Sequence, residues 1–160
     1  MESGQAFPHF VLLDENGEIV DSTQLAGLRY VIFFYAKDCT FGCTQEAQEF
    51  TANYPKFMLR NIPIFGVSAD SAASHRQFID AADLKVKLLS DTDYALAKQV
   101  GAWGQKIMYG KTVEGTLRST FLVGKDGRVE EAWTNVKVAG HADQVLAAAL
   151  SHFRNVSDIQ

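Results

Sequence analysis

Two kinds of apolar run alternate along the chain. Continuous runs at residues 30–35, 62–68 and 86–89 have the length of buried strands. Between them lie stripes at three-and-four spacing. One passes from Cys43 through Ala47, Phe50, Tyr54 and Phe57, the other from Ala72 through His75, Phe78 and Ile79. That spacing is one face of a helix, so helices are expected over about residues 42–60 and 71–82. Pro55 should kink the first of these or restart it near Tyr54. Residues 7–13 and 18–20 flank Asp14-Glu15-Asn16-Gly17, a hairpin signal. A further helix, capped by Asp91 or Thr92, should run through Val100. Residues 101–115 read as a glycine-rich connection. Ser119–Val123 and residues 128–133 form a second hairpin around Lys125-Asp126-Gly127. A last helix, about His141–Phe153, buries Val145, Leu146, Ala149, Leu150 and Phe153, and the tail at 155–160 should fray. This order predicts an α/β fold with an N-terminal β-hairpin. Its mixed central sheet has parallel strands in the middle, an antiparallel hairpin at one edge and helices on both faces.

The length of 160 residues fits a single domain spanning 1–160. A net charge of -4 offers no electrostatic footprint for nucleic acid or an anionic membrane surface. No segment approaches the length of a membrane span. Met1-Glu2-Ser3-Gly4 lacks the basic start and apolar stretch of a signal peptide, so a cytoplasmic location is expected. Two cysteines do not make a disulfide scaffold. In a cytoplasmic protein they serve redox chemistry, metal binding or packing.

Both cysteines fall in Cys39-Thr40-Phe41-Gly42-Cys43, between the run at 30–35 and the first helical stripe. At such a junction the unpaired N–H groups and positive dipole end of a helix favour an anion. A cysteine there is a candidate thiolate, and the thiolate is the nucleophile. The plainer reading is a pair of small buried hydrophobes. Cys43 lies on the inward stripe at the first turn and Cys39 just outside the helix. Thr40 is placed to cap it, its hydroxyl within reach of the Cys43 amide. Glu46, with Thr44, Gln45, Gln48 and Glu49, falls on the opposite, solvated face, although it could pair with a cation such as Arg118.

The segment 34–46, Phe-Tyr-Ala-Lys-Asp-Cys-Thr-Phe-Gly-Cys-Thr-Gln-Glu, resembles the active-site segment of peroxiredoxins, most of all the peroxiredoxin Q or bacterioferritin-comigratory-protein subfamily. Phe7-Pro8-His9-Phe10, Leu88-Leu89-Ser90-Asp91, Trp103-Gly104, Met108-Tyr109-Gly110-Lys111, Arg118-Ser119-Thr120-Phe121-Leu122 and 136–142 resemble further family segments, in order and at matching spacing. The resemblance implies a thioredoxin-like fold and a thiol peroxidase without a cofactor or metal. It places the peroxidatic cysteine at Cys43, the family threonine at Thr40 and the family arginine at Arg118. The implied substrates are hydrogen peroxide and organic hydroperoxides. The implied reductant is thioredoxin, glutaredoxin or a small thiol, and the implied state is a monomer or weak homodimer. A guanidinium beside a sulfur favours its ionised form and can hydrogen-bond the peroxide. The first product would be a sulfenic acid on Cys43, which a thiol must reduce.

The chain departs from the family in two respects. Ala36 and Phe41 stand where prolines are usual. Gln48 and Ile79 stand where relatives carry a resolving cysteine, which leaves Cys39 as the one internal candidate. Either an external thiol reduces the sulfenic acid directly, or Cys39 resolves it after local unwinding. Two rival functions share the motif. A copper chaperone of thioredoxin-like fold would hold Cu(I) between the two thiolates and His141. A thiol–disulfide reductase would cycle the two cysteines, although the usual Cys-x-x-Cys spacing is missing. The histidines His9, His75, His141 and His152 are scattered, and Trp103 reads as packing.

Overall fold

The computed structural model describes residues 1–153, with the Phe153 side chain and the expected fraying at 155–160 outside the described part. The strands are β1 (Val11–Leu13), β2 (Ile19–Asp21), β3 (Tyr30–Phe34), β4 (Ile64–Ser68), β5 (Lys87–Ser90), β6 (Trp103–Met108), β7 (Lys111–Thr116), β8 (Ser119–Val123) and β9 (Val129–Trp133). The helices are α1 (Phe41–Met58), α2 (Ala72–Ala82), α3 (Ala95–Val100) and α4 (His141–Phe153). The main sheet has the order β2-β1-β5-β4-β3-β8-β9. β3, β4 and β5 run parallel, joined by crossovers through α1 and α2, as the apolar runs imply. β8 and β9 close one edge antiparallel, as expected.

The sheet is antiparallel at its other edge as well. The N-terminal hairpin joins it through β1, which pairs with β5 at Leu13 and Ser90. The strands of that hairpin are shorter than the apolar run suggests. Phe7 and Phe10 lie outside the ladder and are buried against the sheet face.

All of β3 is buried, and alternate residues face opposite layers. Val31, Phe33 and then Tyr35 pack with residues of α1, α2 and α4. Tyr30, Ile32 and Phe34 pack with α3 and the N-terminal phenylalanines. Phe33 stacks on Phe50 of α1 at a centroid distance of 4.7 Å, which seats the helix on the sheet.

Two local expectations change, and a third becomes more definite. Pro55 does not restart α1, which continues through it to Met58. Proline lacks one donor, and so close to the helix end, on an exposed position, its loss is tolerated. Asp91 does cap α3, but from before its N-cap residue Tyr94, accepting from the amides of Leu96 (3.1 Å) and Ala97 (3.0 Å). The segment 101–115 is no simple connection. Most of it is a β-hairpin, β6 against β7, turned by Tyr109 and Gly110 at φ 53° and 78°. Both turn residues have positive φ, which suits a tight hairpin turn. Trp103 packs on Tyr94 and beneath the Lys98 ammonium, a packing residue as read.

Candidate active site

α1 begins at Phe41, directly beyond the C-terminal end of β3, with Thr40 as its N-cap residue. Cys43 lies in the first turn on the inward stripe and is 2% exposed. From β8's approach, Arg118 reaches the sulfur, its Nη2 donating to Cys43 Sγ at 3.3 Å. The guanidinium also lies over Gly42, where an added Cβ would come within 3.3 Å of Nη2. The glycine therefore leaves the arginine its place.

Two placements correct the reading from sequence. The Thr40 hydroxyl does not cap the helix and does not reach the Cys43 amide. It donates to the Lys37 carbonyl at 2.8 Å and closes the turn 37–40. The amides of the first turn are left without a side-chain cap. Glu46 is not solvated. It is 1% exposed, and its Oε1 accepts from Arg118 Nη1 at 2.7 Å. Burial pushes its carboxyl from 4.5 up to about 7, with the Arg118 guanidinium limiting the rise. Its Oε2 is buried without a partner. Burial pushes Arg118 down, but the charges of Glu46 and Cys43 outweigh this and hold it above its ordinary value, so the cation is retained.

The site brings Cys43, Arg118 and Glu46 into direct contact, with Thr40 at the helix start. Cys39 is exposed, forms no disulfide with the buried Cys43, and has a left-handed conformation at φ 63°. His141, the third donor in the copper reading, is buried, and its Nε2 lies 2.8 Å from the Thr120 hydroxyl. Among the described residues, no three His, Cys, Asp or Glu side chains form a group able to hold a metal.

Arg118 also lines a cavity of about 320 Å³ shared with Ala36, Lys106, Leu117 and Val136. Sequence reasoning did not find Lys106 or Val136. It also gave no individual site role to Tyr35, Asp38, Ser74 and His75, polar side chains bonded together at the turn 37–40. The one available signal was a histidine on an inward helical stripe.

Fold and site together define a thiol enzyme of thioredoxin-like fold. The chain belongs to the AhpC/TSA family, whose model matches residues 3–132. A putative peroxiredoxin bcp of Helicobacter pylori is 40% identical over 146 residues, which span 91% of this chain and 96% of that protein. Peroxiredoxin Bcp of Xanthomonas campestris is 48% identical over 127 residues, 79% of each protein. Among solved structures, the bacterioferritin comigratory protein of Xanthomonas campestris was studied as trapped intermediate and ligand complexes bearing on its alkyl peroxide reduction activity. It matches with a TM-score of 0.85 and 41% identity, over 95% of this chain and 96% of that one. Among the described residues no helix is long and apolar enough to cross a membrane.

Proposed function

We propose that this protein is a thiol-dependent peroxidase in which Cys43 is the peroxidatic residue. The observation that carries the reading is the Arg118 guanidinium at 3.3 Å from Cys43 Sγ. The ionised sulfur attacks one peroxide oxygen, an S–O bond forms and the O–O bond breaks. The other oxygen leaves as alkoxide or hydroxide and takes a proton to become alcohol or water. Charge therefore moves from sulfur to the leaving oxygen, where preorganised donors act most strongly. Arg118 and the uncapped amides of the first turn are those donors. The Thr40 hydroxyl spends its proton on Lys37, so it offers lone pairs that can accept from the peroxide O–H. Glu46 holds the guanidinium in place.

Cys43 then carries a sulfenic acid. A thiol attacks it, releases water and leaves a disulfide, which a second thiol reduces. The first thiol is either external or Cys39 after the first turn unwinds. Thioredoxin, glutaredoxin or a small thiol is the reductant, hydrogen peroxide and organic hydroperoxides are the substrates, and the protein works in the cytoplasm as a monomer or weak homodimer. Peroxide consumption with a thiol donor, lost on Cys43→Ser, tests the activity. Intact mass after peroxide treatment decides the route: loss of two hydrogens supports the Cys39 bridge, and a trapped sulfenic acid supports direct reduction. A wild-type protein that consumes no peroxide with any thiol donor contradicts the reading.

A further inference from the structure

The segment 36–41 is exposed at every residue except Asp38. Asp38 is 6% exposed, and its amide and both carboxylate oxygens are engaged. Its N–H donates to Asp70 Oδ2 at 2.8 Å. Oδ1 accepts from the Tyr35 hydroxyl at 2.6 Å. Oδ2 accepts from Ser74 Oγ at 2.8 Å and from His75 Nδ1 at 2.7 Å. His75 is fully buried, and its Nε2 lies 3.1 Å from the Leu89 carbonyl. Both ring nitrogens are thus engaged, Nδ1 at the Asp38 carboxylate and Nε2 at the Leu89 carbonyl. Asp70 is held in turn, its Oδ2 by Ser68 and its carbonyl by Ser90, both at 2.7 Å. Burial, reinforced by the Asp38 carboxylate, pushes the Tyr35 phenol well above its ordinary value and keeps it a donor.

These partners come from the C-terminal ends of β3, β4 and β5 and from the first turn of α2, the end of the sheet at which Cys43 sits. The effect of these bonds is geometric. Asp38 stands between Lys37, whose carbonyl receives the Thr40 hydroxyl at 2.8 Å, and Cys39, whose φ is 63°. A rotation at Asp38 would move the Thr40 oxygen and the start of α1 together.

We propose that Asp38, held by Tyr35, Ser74 and His75, is a positioning residue for peroxide reduction, anchoring the turn 37–40 and through it the Thr40 hydroxyl and the first turn that carries Cys43. This rests on the peroxidase reading of the same site. In-line displacement at an O–O bond depends on alignment, and a misplacement of about 1 Å can cost about a hundredfold. Alkylation of the same sulfur by iodoacetamide needs ionisation and access but no aligned donors. Comparing the two reactions therefore separates positioning from general loosening.

The test measures both rate constants at Cys43 in the reduced full chain, with hydrogen peroxide and with iodoacetamide at one pH, resolved from Cys39 by fragment mass spectrometry. Asp38→Asn should slow the peroxide reaction about a hundredfold and Tyr35→Phe about tenfold, with alkylation within about threefold of wild type. Tyr35→Phe keeps the ring in its packing with Phe33 and Phe78, so it carries the test should Asp38→Asn fail to fold. A folded variant with a wild-type peroxide rate, or peroxide and alkylation rates falling in parallel, overturns the positioning role. A wild-type protein inert to peroxide overturns the peroxidase reading instead.

Discussion

At the scale of single residues, the site joins Cys43 and Glu46, neighbours on α1, to Arg118, which is far from both along the chain. Cys43 was legible as the candidate sulfur because a helical stripe and a strand-like run meet there. Arg118 was legible only through family resemblance, since an arginine entering a strand is ordinary and nothing local ties it to a cysteine 75 positions away. The solvated reading of Glu46 fails because periodicity does not show that a guanidinium would cover it, while the alternative pairing with Arg118 is the one found. Its burial has a measurable consequence. The folded protein holds a proton on Glu46 between the ordinary value of 4.5 and about 7, where the unfolded chain has lost it. Stability attached to this group is thus lost as pH rises through that window. The ionised carboxylate above about pH 8 costs about 3 kcal/mol relative to the protonated one below about pH 4. Glu46→Gln removes that dependence, so urea midpoints should show the variant gaining on wild type from the lower pH to the higher. An equal difference at both pH values would contradict the assignment.

At the scale of elements, the site depends on how closely α1 and the parallel strands approach. Gly66 in β4 lies where an added Cβ would stand 2.8 Å from Phe33 Cζ and 2.9 Å from Leu88 Cδ2. Both neighbours are fully buried, and Phe33 is the ring on which Phe50 of α1 stacks. Gly66→Ala should therefore destabilise the protein by about 1–3 kcal/mol through overpacking, seen as a lower denaturation midpoint. An unchanged midpoint would show that the layer is looser than described. The elements that apolar spacing predicted well were those with a buried face, namely β3, β4, β5, α1, α2, β8 and α4. The β6–β7 hairpin escaped because both of its faces are largely solvated, so it carries no apolar alternation. Ile107 and Tyr109 stand 77% and 98% exposed there.

At the scale of the molecule, stability should be graded. β3 is buried on both faces and paired on both sides, with β4 and β8. β6 and β7 pair only with each other, in a sheet of two strands. Amide hydrogen exchange should therefore be fast across β6 and β7 and slowest in β3. Comparable protection in both would mean that the hairpin is held by contacts beyond its own ladder. The general architecture was legible because the order of strands and helices limits the topologies. The second antiparallel edge was not, because Leu13 pairs with Ser90 across a separation that local pattern does not encode.

The central claim is that chemistry and not access selects the reacting sulfur. The direct measurement is the rate of oxidation by hydrogen peroxide in the two single-cysteine proteins, Cys39→Ser and Cys43→Ser. Beside Arg118, the buried Cys43 should react at least ~100-fold faster than the exposed Cys39. An exposed Cys39 that reacts as fast as Cys43, or faster, would contradict the account.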